Sequence, residues 1–299
     1  MAARRRAVFI LPSAFIILHC PYDPAMHAPL PEPRRIRLVA IDLDGTLLND
    51  AKQVSDRTAL ALHGLPERGV RVVIASARPP RSVRHIYRLL KLDTLTINYN
   101  GALVWDEPDR RAVLHKPLSG ELVAEIVGLA RDYFDDVGVS CEVLDRWFTD
   151  KVDDLHVTET GRMFKPDVVA PLETFVRNDA TKLMLAADPA VIPRLEALLL
   201  NRFGDRVLVL QTDDDLLQVA HPSAGKAAAL RWVADHYGVP MDQVMAIGDA
   251  PNDVGMLQLA GVGIAMDNAK GVVKDVADWV APSNNDHGVH AALVRFGLA

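Results

Sequence analysis

Cysteine is nearly absent: the 299 residues hold two, Cys20 and Cys141. So few thiols exclude a disulfide framework and fit a reducing compartment, the cytoplasm. An excess of positive charge is also missing. The formal net charge is −6, which leaves no electrostatic footprint for nucleic acid or for an anionic membrane. No internal repeat or low-complexity tract is apparent. No apolar run is long enough for a comfortable membrane span either. The nearest candidate, residues 7–18, follows Arg4-Arg5-Arg6 in the outline of a signal peptide. No small-x-small cleavage site comes after it, because His19-Cys20-Pro21-Tyr22 is bulky. Met26 then opens a Pro-rich polar lead, so we expect Met26 to be the natural start and residues 1–25 to be dispensable. The remainder has the composition of a soluble globular protein, 49% hydrophobic and 24% charged, and a length that suits two domains.

What is present starts at residues 38–48. Leu38-Val39-Ala40-Ile41 is a short apolar run of the kind buried on both faces of a parallel sheet. Two carboxylates follow where that strand should end. Side chains alternate in an extended chain, so Asp42 and Asp44 project to one side, and Gly45 permits a tight turn behind them. In open α/β sheets, ligands bind at the carboxyl ends of strands. Two like charges at that spot need a cation or a shared proton, and oxygen-only ligands suit Mg²⁺. The bland alternative for this stretch alone is an N-cap with a turn aspartate.

Helical periodicity over 55–68, capped by Ser55, ends at Gly69. A buried strand over 70–75 leads into Ser76-Ala77-Arg78-Pro79-Pro80 and a helix over 81–90. A third strand, 95–98, leads into Asn100-Gly101-Ala102. Strand–helix alternation of this kind marks a doubly wound parallel sheet. From Lys116 the texture changes to a helix over 121–133 and a strand over 137–143, then a polar stretch over 150–167. A strand over 181–186, a helix over 188–203 and a hairpin, 206–211 with 216–219, complete this part. Alternation resumes with a helix over 223–237, a strand over 243–247, a helix over 254–260, a final strand over 262–266 and a last helix over 287–296. The expected fold is α/β: a doubly wound parallel sheet carried by residues 36–115 and 214–299. Residues 116–213 form an inserted α+β domain, and 1–35 an extension outside the fold.

Three buried strands thus end in complementary polar groups: Asp42 and Asp44, then Ser76, then Asp249 with Asn252 and Asp253. Lys226 stands at the start of a helix, where backbone N–H groups and the dipole favour an anion. Carboxylates for a metal, a hydroxyl, a lysine and helix N-termini make a phosphate site, and phosphoryl transfer asks for little more. Each residue alone has a structural alternative: Ser76 and Asn252 as caps, Lys226 as a solvated helix residue, Asp249 and Asp253 as turn acids. Their joint order is what chance does not readily supply. The residues by themselves leave open which aspartate attacks.

Asp42-Leu43-Asp44-Gly45-Thr46-Leu47 resembles the first motif of the haloacid dehalogenase-like (HAD) hydrolases. Ala75-Ser76-Ala77-Arg78 is similar to the second, Lys226 to the third, and Gly248-Asp249-Ala250-Pro251-Asn252-Asp253 to the fourth. Asn100-Gly101-Ala102, Gly263-Ile264-Ala265-Met266 and Ala277-Asp278 resemble the Cof-type subfamily, whose class II cap is inserted between motifs two and three. The resemblance spans residues 36–299, with no motif-level support inside the cap. It implies that Asp42 is the nucleophile that forms an aspartyl-phosphate, and that Asp44 is the general acid and base. Asp42, the Asp44 backbone carbonyl and Asp249 would hold Mg²⁺, with Asn252 or Asp253 helping. Ser76, Ala77, Lys226 and Asn252 would bind the phosphate, supported by Arg78 and Asn100. Ser76-Ala77 stands where the family usually has Thr-Gly, which keeps the hydroxyl but bears on substrate fit. The implied activity is hydrolysis of small phosphomonoesters such as sugar phosphates, pyridoxal phosphate or flavin mononucleotide. A phosphomutase or other phosphotransferase, and a non-catalytic phosphometabolite-binding protein, are the alternatives; a dehalogenase needs neither Asp44 nor a metal. In capped members of that family, specificity comes from cap residues lowered over the site, and Arg146, Trp147 and His156 fall in the cap, each with an ordinary core or surface role as the alternative.

Overall fold

A computed structural model describes residues 35–152 and 159–299. The expected extension, apart from Arg35, lies outside the described residues, and so do the proposed start at Met26 and His156. Strands β1 (Leu38–Ile41) and β2 (Arg71–Ile74) pair in parallel, Ile41 opposite Ile74. β3 (Thr96–Asn98), β4 (Leu103–Asp106) and β5 (Arg111–His115) then form a separate antiparallel sheet. A six-stranded sheet follows, built from β6 (Gly138–Val143), β7 (Arg146–Thr149), β8 (Val168–Val169), β9 (Lys182–Ala186), β10 (Leu208–Asp213) and β11 (Leu216–Ala220). Its order is β10-β11-β9-β6-β7-β8. β12 (Val244–Gly248), β13 (Val262–Met266) and β14 (Trp279–Ala281) rejoin the first sheet, giving β14-β13-β12-β1-β2 with every pair parallel.

The period-two pattern of β1 explains the layers. Val39 and Ile41 enter one core with Ile74, Ile247 and Ile264, under helices Asp56–His63 and Gly288–Arg295. Leu38 and Ala40 enter the other with Val73 and Ala246, under helices Lys226–His236 and Val254–Leu259. A parallel sheet covered by helices on both faces is the expected doubly wound α/β architecture. In the inserted sheet, Val139, Cys141, Leu183 and Leu185 pack under helices Gly120–Tyr133 and Ile192–Phe203. Lys116 and Ser223 stand on the two stretches of chain that join this sheet to the rest, and Lys116 Nζ donates to the Ser223 carbonyl (2.9 Å).

Several elements depart from the sequence pattern. The third strand touches the parallel sheet only through an isolated bridge, Ala75 with Ile97, and pairs instead with β4. The helix expected over 55–68 ends at His63 and resumes as a 3-10 turn over Pro66–Arg68, since Pro66 has no N–H to continue the ladder. β14 follows the strand expected to be last. The boundary expected at 213 falls inside a hairpin: β11 pairs with both β10 and β9, so residues 216–220 belong to the inserted sheet. Among the described residues, no helix is long and apolar enough to cross a membrane.

Candidate active site

Asp42 directly follows β1 and is almost fully buried, with its N–H on the Ile247 carbonyl (3.0 Å). Lys226, first residue of its helix, donates to Asp42 Oδ1 (2.5 Å) and Asp253 Oδ1 (2.7 Å). The other oxygen of Asp253 accepts the backbone N–H groups of Asp249 (3.1 Å) and Ala250 (3.0 Å). Asp253 therefore shapes the loop after β12. Asp249 accepts from the Thr46 hydroxyl (2.7 Å), which ties that loop to the turn after β1. Gly45 makes this approach possible: its φ is +80°, and a Cβ there would fall on the Asp249 carboxylate.

The remaining expected residues ring this centre. Arg78 forms a two-pronged pair with Asp44 (2.7 and 2.5 Å), and Lys52 adds a third contact (2.8 Å). Ser76 is buried and its hydroxyl accepts the N–H of Arg78 (3.2 Å). Asn252 donates to Asn100 Oδ1 (2.8 Å), and Asn100 has a left-handed backbone, φ 55°. Asn268 donates to the Gly45 carbonyl (2.8 Å). Ala77 lines a cleft that runs from this end of the sheet toward β9, β10 and β11.

The charges are unbalanced. Carboxylate oxygens of Asp42, Asp249 and Asp253 come within 4.8 Å of one another, facing the single ammonium of Lys226. Burial opposes the charge on Lys226, but Asp42 and Asp253 overcome it and raise its pKa. Burial pushes Asp42 up to about 8, Lys226 holds it down, and Asp253 and Asp249 add to the rise. One ammonium thus faces two carboxylates, and the pKa of Asp42 stays raised despite it. Asp249 is also raised, by burial first, with the Thr46 hydrogen bond opposing. Asp44 differs. Burial works against its charge, yet the bonds from Arg78 and Lys52 hold it below the usual carboxylate range.

This donor set fits a divalent cation. It offers only oxygens, and its excess of negative charge matches Mg²⁺. Asp253 has both oxygens engaged, whereas Asp42 and Asp249 each keep one outside the bonds described. The Asp44 carboxylate does not enter this cluster; it faces Arg78 and Lys52.

A family model for haloacid dehalogenase-like hydrolases matches residues 39–293. The chain belongs to that family. HAD relatives with assigned activities match along most of its length. A 5-amino-6-(5-phospho-D-ribitylamino)uracil phosphatase of Bacillus subtilis is 30% identical over 263 residues, 87% of this chain and 97% of the relative. An HMP-PP phosphatase of Cronobacter sakazakii is 33% identical over 239 residues, 78% of this chain and 85% of the relative. Among solved structures, a HAD-like hydrolase from Bacteroides thetaiotaomicron superimposes with a TM-score of 0.79 at 26% identity, covering 87% of this chain and 99% of its own. The HAD reading of the sequence, Cof-type included, thus agrees with the family match and with the fold.

Sequence reasoning missed Lys52, whose signal was only its place in the turn after the first motif. It also missed a charged network on the inserted side. Arg81 clasps Glu142 (2.6 and 2.8 Å), Tyr99 donates to Glu142 (3.1 Å) and to the Leu144 carbonyl (2.7 Å), and Arg84 bridges Glu107 and Asp145 (2.7 Å to Asp145). Arg146 lies over the Phe148 ring, and the Trp147 backbone N–H donates to the Asp167 carboxylate (2.8 Å); both residues are on β7, two strands from β9.

Proposed function

We propose that the protein is a Mg²⁺-dependent phosphatase of small phosphomonoesters, working through a phosphoaspartate on Asp42. The observation that carries this reading is the buried Asp42–Lys226–Asp253 chain beside Asp249, at the carboxyl end of β1, with Asp44 two residues on. Asp42 and Asp249, with the Asp44 backbone carbonyl, would hold the metal. Bound Mg²⁺ would neutralise the charge of the attacking carboxylate and of the phosphoryl oxygens.

Asp42 attacks phosphorus, so that one Oδ–P bond forms as the ester P–O bond breaks. Asp44 gives its proton to the departing alkoxide and then takes one from the water that cleaves the phosphoaspartate. Its pairing with Arg78 keeps it ionised at rest, ready for the second of these steps; donating to the alkoxide requires it to gain a proton and loosen from Arg78. Lys226, Ser76 and the backbone at Ala77 bind the phosphoryl oxygens, with Asn252 and Asn100 at their edge. Residues 116–220 act as the cap over this end of the sheet. Relatives named for a ribitylaminouracil phosphate and for HMP-PP support small soluble esters as the substrate class. The near absence of cysteine supports a cytoplasmic location.

The test is phosphate release from a monoester panel with no acceptor added, with Mg²⁺ and with EDTA. Release that needs the metal, disappears in freshly made Asp42→Asn, and leaves trapped phosphate on Asp42 by mass spectrometry supports the reading. Phosphate trapped on another residue would overturn it, and transfer to a sugar with no release to water would make the protein a phosphotransferase.

A further inference from the structure

The cleft beside the candidate site runs between two parts of the fold. Ala77 and Asn100 form its inner end, close to the phosphoryl-binding turn, and Lys182, Leu208, Leu210 and Gln218 line the side contributed by β9, β10 and β11. An ester whose phosphorus sits over Asp42 must send its alcohol away from the nucleophile, because attacking and leaving oxygens lie roughly in line.

Among the described residues that line the cleft, Lys182 is the one cation. Its ammonium lies 5.4 Å from the centre of the Tyr99 ring, and among the described residues no carboxylate reaches it within ion-pair distance. The nearest candidate by register is Glu142, its cross-strand partner. Both Glu142 oxygens are already held by Arg81, and one of them also takes the Tyr99 hydroxyl. The network thus holds Tyr99 and keeps both Glu142 oxygens on Arg81, so that Glu142 acts on Lys182 only at a distance and the ammonium faces the Tyr99 ring. Burial pulls its pKa down from 10.5, with Glu142 opposing and Arg81 adding to the fall. A desolvated ammonium in this position gains most from an anion delivered with the ligand. The alternating pattern of β9 accounts for its orientation: Leu183 and Leu185 enter the core of the inserted sheet, and Lys182 stands on the opposite face.

We propose that Lys182 determines specificity in this cleft, selecting phosphomonoesters whose alcohol carries a second anionic group, a carboxylate or a phosphate. Leu208 and Leu210 would pack on the carbon skeleton and Gln218 would hydrogen-bond its hydroxyls. The inference rests on the phosphatase reading for the direction of the alcohol, and on the cleft alone for its charge.

The experiment compares matched esters: phosphoglycerate against glycerol phosphate for a carboxylate, and glucose bisphosphate against glucose phosphate for a second phosphate. We expect the wild type to favour the anionic member of at least one pair in kcat/KM, and the pair that responds identifies which anion is read. In Lys182→Met that ratio should fall by about 10- to 100-fold, the range of a hydrogen bond to a charged group, while Lys182→Arg should retain most of it. Circular dichroism and melting curves check that both variants fold. Calorimetric titration of Asp42→Asn, with and without Lys182→Met, reads the same preference without turnover. A wild type that favours the neutral esters, or a ratio unmoved by Lys182→Met, overturns the role of Lys182. Binding preference in the Asp42→Asn background without hydrolysis by the wild type overturns the phosphatase reading and leaves the cleft assignment standing.

Discussion

Asp42 and Asp44 are two residues apart in the chain and live in opposite electrostatic surroundings. Asp42 shares one ammonium with Asp253, while Asp44 is paired with both Arg78 and Lys52. Replacing Asp44 by Asn keeps its backbone and removes the proposed proton carrier. Asp44→Asn should therefore lose ~10²–10⁴-fold on alkyl phosphates, the usual worth of general acid–base help, and much less on aryl phosphates, whose leaving group needs no proton. Parallel rates on p-nitrophenyl phosphate and glycerol phosphate test this; equal losses on both would remove Asp44 from the proton transfer. At this scale the sequence was informative wherever chemistry is local. The first motif sits at a strand end and its expected partners sit at other strand ends or a helix start, so residue type and order were enough to group Asp42, Lys226 and Asp249, which the fold brings together. The pairing of Asp44 with Arg78 was not legible, because it joins two loops whose relative placement depends on the sheet order. Lys182 was also hidden: as the first residue of a strand it has the pattern of a solvated surface lysine.

The helix Pro80–Leu89 carries Arg81 and Arg84 on the turn that faces β6 and the loop after it. Arg81 and Glu142 are both nearly excluded from solvent, and such a pair stands or falls as a unit. Arg81→Met alone should cost ~3–5 kcal/mol because it strands Glu142, and the double variant Arg81→Met/Glu142→Met should recover most of that loss. Urea midpoints of the two single variants and the double variant form the cycle; additive losses would show that the two side chains do not depend on each other. None of this could be read from the chain, since the partners are 61 residues apart and each resembles an ordinary surface charge. Helices and strands with clean periodicity were legible to within a few residues. The strands that escaped, β4, β5, β7, β8 and β14, are short, two to five residues, in stretches mixed with charges and turn formers.

At the scale of the whole molecule, one histidine marks the crossing between sheets. His115 ends β5, and its Nε2 meets the Thr181 hydroxyl (2.9 Å) just before β9. Thr181 also accepts the Leu144 N–H (2.8 Å), so its own proton is free to go to a neutral imidazole. Burial lowers the His115 pKa from 6.5, with Asp179 pulling the other way. The unfolded chain therefore binds this proton more readily than the folded one. The stability contributed by neutral His115 is intact above the unfolded value and is lost as pH falls through the folded one. Melting temperatures taken at about pH 7.5 and about pH 5.5 should fall on acidification, and should fall less in His115→Gln. An identical drop in both proteins would place the acid sensitivity elsewhere.

β1 has its two neighbours at very different distances along the chain: Leu38 lies beside Arg71 on one side and beside Val244 on the other. Every strand of the inserted sheet is made between those two events. A chain that emerges from the ribosome N-terminus first thus completes the inserted sheet while β1 still has an open edge. During that interval Asp42 has neither Asp249 nor Asp253, and the acidic cluster is incomplete. Closing so long a loop costs little more than closing a shorter one, because the entropy grows only with the logarithm of its length. The exposed edge is the greater hazard, since unpaired backbone groups beside an apolar strand recruit other chains. A chain stopped between Ala220 and Val244 should accordingly be both inactive and prone to aggregate, with its inserted sheet already formed.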